Sequence, residues 1–65
     1  MKESEKQALL ALDQLLDLTN EDDWPMIHDS VRDDVANLKY GSAFEAAYKD
    51  LVNSKLKERV RNSDG

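Results

Sequence analysis

The sequence predicts an all-α fold, a compact three-helix bundle with short connections, for which a dimer is one open form. Three observations carry this. Only two Gly and one Pro occur in 65 residues, too few for a turn-rich β architecture. Apolar residues recur at helical rather than alternating spacing. The links between the three periodic stretches are about five and three residues, which makes successive helices antiparallel neighbours.

The first helix is expected over residues 4–18. Ala8, Leu9, Leu12, Leu15, Leu16 and Leu18 form one broad apolar stripe, with Asp13, Gln14, Asp17 and Leu10 opposite. Ser4 suits an N-cap, and Glu3 and Glu5 suit the positive end of the helix dipole.

The second helix is expected over residues 24–39 and opens in the segment NEDDWPMIHDSV. A proline is tolerated in the first helical turn, where its missing N–H is not needed. Pro25 therefore sets the start near Asp23 or Trp24, with Asp22 or Asp23 as cap. Trp24, preceding proline, is biased away from helical angles. Trp24, Ile27, Val31, Val35 and Leu38 make the inward stripe, and Gly41 is the expected left-handed residue beyond the end.

The third helix is expected over residues 43–61. Ser42 and Glu45 have capping-box spacing, and Phe44, Ala47, Tyr48, Leu51 and Val52 face the core. The stripe continues to Leu56 and Val60 in steps of four, drifting about 40° per step, so the last turns face elsewhere or fray. Residues 62–65 read as a frayed tail. The whole chain is one domain, 1–65.

Composition excludes several functions. The chain has no Cys and one His, so no disulfide, thiolate metal site or His cluster is available. Neither a calcium loop nor a di-metal Glu-x-x-His pattern is present, and neither metal nor cofactor is expected. No apolar run is long enough to span a membrane and no signal peptide is visible. A cytoplasmic protein of bacterial or phage type fits. Net charge is −5. Residues 1–37 carry ten acids against three bases, and residues 38–65 carry four acids against six bases. An acidic chain is poorly suited to general nucleic-acid binding.

His28 reads as a half-exposed boundary residue bonded to a carboxylate, and Trp24 and Tyr48 as core aromatics. No catalytic residue is expected, and 65 residues of plain helix offer no evident cleft for an enzyme. The strongest candidate surface is acidic. Asp22, Asp29 and Asp33 share one side of the second helix, with Met26, Leu10 and Tyr40 as exposed apolar anchors. Asp29 and Asp33 repel at i, i+4, and Asp13 and Asp17 repeat the conflict on the first helix. Broken local rules without evident gain tend to mark function.

The expected function is a non-enzymatic interaction module, an inhibitor or adaptor docking onto a basic partner protein. By charge and size alone this shape matches antitoxin-like or immunity-like proteins that mask a basic site. Two alternatives remain open. One is a homodimeric assembly protein using the C-terminal helix. The other is a regulator touching nucleic acid weakly through Lys55, Lys57, Arg59 and Arg61.

Overall fold

Trp24 and Pro25 open the middle helix, as their positions require. The computed structural model describes residues 1–64, with side-chain surroundings through Arg59. Three helices follow one another: α1 (Glu3–Leu18), α2 (Trp24–Ala36) and α3 (Ser42–Asp64). A single 3-10 turn, Glu21–Asp23, precedes α2. The described residues contain no strand, and the chain is an all-α three-helix bundle. Its long axis is 40 Å, set by α3, whose 23 residues span about 35 Å.

Both α1 and α2 pack on α3. Contacts fix the directions. Glu5 near the start of α1 bonds Gly41 just before α3, while Leu16 and Asp17 near its end bond Arg59 and Lys55 far along α3, so α1 and α3 run parallel. His28 meets Tyr48 while the earlier Trp24 meets the later Arg59, so α2 and α3 are antiparallel. The core is Leu16, Trp24, Ile27, Val31, Phe44, Tyr48 and Val52, flanked by Ala8, Leu9, Leu12, Val35, Tyr40 and Leu51.

Several expectations are corrected. Leu15 and Leu18, placed in the α1 stripe, are exposed at 46% and 87%. The stripe was drawn nearly 180° wide, whereas a helix packed on one side covers little more than about 100°. Lys2, not Ser4, is the N-cap of α1. Trp24 is helical despite preceding proline, at φ −57° and ψ −34°. Its indole Nε1 donates to the Leu16 and Thr19 carbonyls, each at 3.1 Å. These bonds add a donor to the Leu16 carbonyl, which already accepts the Thr19 N–H, and supply one to the Thr19 carbonyl beyond the end of α1, anchoring the ring against its local bias. The Asp23 side chain makes no capping hydrogen bond. The SAFE segment does not act as a capping box: Ser42 is already helical, and the Glu45 N–H donates to the Gly41 carbonyl at 3.2 Å. α3 continues through Asp64, so residues 62–64, expected as a frayed tail, are helical, and Gly65 lies outside the described residues.

The end of α2 differs most. It stops at Ala36, and the left-handed residue is Leu38, at φ 62°, rather than Gly41. The Leu38 N–H donates to Val35 O at 3.0 Å and the Lys39 N–H to Asp34 O at 2.9 Å, the paired bonds of a Schellman ending. Leu38 is therefore turned outward and is 89% exposed instead of core. A left-handed non-glycine residue costs about 1–2 kcal/mol. Leu38→Gly is expected to stabilise the fold by about 1 kcal/mol, seen as a higher urea midpoint by circular dichroism. A lower midpoint would mean that the exposed side chain contributes packing this geometry does not provide.

Candidate functional site

The chain holds two Asp pairs spaced i, i+4, and they have opposite surroundings. On α1, Asp13 and Asp17 both accept from the ammonium of Lys55, at 2.6 Å for Asp17. Lys55 keeps only 11% of its side chain exposed. Burial lowers its pKa, but the bonds and charges of the two aspartates together outweigh that and hold it above the usual lysine range. The repulsion read from the sequence on α1 is thus an ammonium clamp between α1 and α3, and it needs no external partner.

On α2, Asp29 and Asp33 are exposed, and neither has an ion pair among the described residues. Asp22, in the preceding turn, is exposed as well. Met26, one turn from Asp29 on the same face, is 68% exposed. The core side of α2 is taken by Trp24, Ile27 and Val31, which aims these acids at solvent.

The other anticipated residues fall elsewhere. Tyr40 is half-buried and stacked on Phe44, with centroids 4.1 Å apart, so at most one face of the ring is open. Leu10 is 59% exposed but lines a groove with Lys6, Leu9, Asp13, Ala47 and Leu51, between α1 and α3. Of the basic residues, Lys55 is committed to the clamp. Arg59 lies 4.7 Å over the Trp24 ring and bonds Glu21 and the Leu16 carbonyl, each at 3.4 Å. Lys57 is exposed, and the side chain of Arg61 lies outside the described residues.

His28 is half-buried as anticipated, but its partner is not a carboxylate. Its Nδ1 lies 2.7 Å from the Tyr48 hydroxyl, with the rings edge to face. Burial pushes the Tyr48 phenol above its ordinary range, so it remains a hydroxyl able to donate to the imidazole. The pair floors a groove of about 430 Å³ between α2 and α3, rimmed by Arg32, Glu45, Lys49 and Asn53. Ser30 is exposed on another face. No three His, Cys, Asp or Glu side chains converge for a metal among the described residues.

Glu5 was read only as a dipole-matched residue of the first turn. It is buried, and its two carboxylate oxygens accept from the Lys2 and Gly41 N–H groups, each at 3.0 Å. These backbone bonds, led by that from Lys2, hold the carboxyl below its usual range. Its contribution is therefore present at pH values above the ordinary carboxylate range and lost as pH falls through the depressed value. Spacing could not have found this link, because Gly41 is 36 positions away.

No helix among the described residues is long and apolar enough to cross a membrane. No protein-family model, curated protein or solved structure matches the chain.

Proposed function

We propose that the protein is a non-enzymatic interaction module that docks onto a basic protein surface through Asp22, Asp29 and Asp33 of the 3-10 turn and α2. The observation that carries this reading is the contrast between the two aspartate pairs. Asp13 and Asp17 show how a pair one helical turn apart receives a single ammonium from another helix. Asp29 and Asp33 repeat that spacing at the surface without an ion pair among the described residues. A lysine or arginine of a partner supplies what Lys55 supplies internally. Met26 supplies apolar contact beside the charges, so attraction speeds and selects encounter while burial of the thioether side chain holds the complex. An inhibitor or adaptor masking a basic site belongs to this class. Commitment of Lys55 and Arg59 to internal partners disfavours the alternative of nucleic-acid contact through the end of α3.

The test uses a lysine-rich helical peptide as probe. Native protein is expected to bind it with an affinity that falls as salt is added. Asp29→Asn with Asp33→Asn should remove most of that binding. The same double variant should fold as well as the native chain, or better by a few tenths of a kcal/mol, because like-charge repulsion is relieved. An Asp50→Asn control on α3 should bind normally. Equal binding by the double variant and the control would reduce the effect to bulk charge and overturn the proposal. Unfolding of the double variant would make these acids structural.

A further inference from the structure

One side of the face that α1 turns to solvent carries no charge, while Glu3, Lys6 and Asp17 lie exposed on the other. Charged residues make up 35% of the chain. Yet Ser4, Gln7, Ala8, Ala11, Gln14, Leu15 and Leu18 fill an arc of about 120° without one. Glu3, Lys6, Asp13 and Asp17 all fall outside that arc. Within it, Ser4, Ala8, Ala11, Leu15 and Leu18 alternate in steps of four and three, the spacing of a helix–helix seam. Ser4 and Ala11 are exposed, Ala8 is half-buried, and Leu15 and Leu18 are 46% and 87% exposed. α3 packs against the other side of α1, through Leu9, Leu16 and the Asp13–Asp17 clamp, so of the seam only Ala8, at its edge, also packs against the bundle's own core.

We infer that this seam is a self-association surface, on which α1 of a second copy lies antiparallel about Ala11. Two features select a second copy. The first is charge. A partner for this arc needs no complementary charge, and an identical uncharged arc meets it without like-charge contact, although each chain carries −5. The second is size. The small residues lie in the N-terminal half of the seam and the leucines in the C-terminal half. Antiparallel pairing centred on Ala11 sets Leu18 against Ser4 of the other copy and Leu15 near its Ala8. Each large side chain thus meets a small one, as an isologous interface demands. The helix dipoles also oppose favourably in this arrangement. The 16 residues of α1 span about 24 Å, so the interface is small and the dimer weak, with a dissociation constant on the order of 0.1 mM. This places self-association on α1, not on the Leu56–Val60 continuation of α3.

Sedimentation of the full chain across concentration is the first measurement. The mass is expected to rise from 7.4 kDa toward twice that value near millimolar protein. Leu18→Glu and Leu15→Glu should each weaken association about tenfold or more, and Leu56→Glu should leave it unchanged. Circular dichroism checks that each variant is folded; both leucines are surface residues, so folding is expected to survive. Added salt should strengthen association by screening the net charge, whereas it weakens docking of a basic peptide on α2. The two proposals therefore fail separately. The absence of native cysteine allows a test of direction. Ala11→Cys should cross-link to its copy on oxidation. Leu18→Cys should not, since antiparallel pairing holds the two positions about 21 Å apart, far beyond disulfide reach. A monomer at every concentration, loss of association in Leu56→Glu but not in the α1 variants, or cross-linking at Leu18 alone would each overturn the inference.

Discussion

Phe44→Ala is expected to leave the protein largely unfolded at room temperature. Phe44 is fully buried, at 0% exposure. It stands in the first turn of α3, where the stacked Tyr40 covers it. Truncating a phenylalanine at such a site costs about 3–5 kcal/mol. A domain of this size has about 3–10 kcal/mol in total, so the loss consumes much or all of it. The reason the effect is so large lies in the architecture. α1 and α2 both pack on α3, and Phe44 shares one core cluster with Leu16 of α1 and Ile27 and Val31 of α2. Removing it loosens two interfaces at once. Urea titration followed by circular dichroism is the measurement. Leu56→Ala, at a position 37% exposed, serves as comparison and should cost under about 1 kcal/mol. If the two variants have similar midpoints, the core is not where the burial pattern puts it.

Lys55→Glu is the second large effect. The variant would set three carboxylates together where one ammonium now joins two. Breaking a fully buried pair costs about 3–5 kcal/mol. Asp13 and Asp17 are 41% and 61% exposed, and water relieves part of the repulsion, so about 2 kcal/mol is expected. Lys55→Met keeps the aliphatic stem and removes the charge; it should lose about 1 kcal/mol. The pH dependence separates charge from packing. The native pKa lies above the ordinary lysine value of 10.5. The clamp is therefore fully present at neutral pH, and its contribution disappears only as pH rises through the raised value. The gap between native protein and Lys55→Met should be flat through neutral pH and narrow in strong alkali. Combining Lys55→Glu with Asp17→Lys should recover much of the stability. A double variant no better than Lys55→Glu alone would show that the pair is incidental.

Local signals were legible where one residue type leaves a single option. The Trp24–Pro25 start of α2 followed from the proline ring, and the inward positions of Ile27, Val31, Phe44 and Tyr48 followed from spacing. Signals that depend on which helix lies where were not. Leu15 and Leu18 look like core in a list of apolar residues, but α1 packs on one side only. Asp13 and Asp17 look like Asp29 and Asp33 until Lys55 is brought 38 positions back along the chain. Leu38 shows the reverse case: tertiary and capping geometry impose a left-handed conformation on a residue that local preference opposes, with Gly41 three positions away. For the candidate site, the acids and Met26 were readable from the α2 wheel. The exposure of Leu10 was readable as well, though not its place in the α1–α3 groove; the half-burial of Tyr40 was not, because it depends on stacking with Phe44.

The surroundings of Trp24 give the molecule an intrinsic optical gauge. The indole is the chain's single tryptophan. It is bonded at its N–H by the closing carbonyls of α1 and faced by a guanidinium from α3. Its emission colour therefore responds to the seating of α1 and α3 around the start of α2. Withdrawal of α1 from the indole would redden the fluorescence even with α2 and α3 still joined.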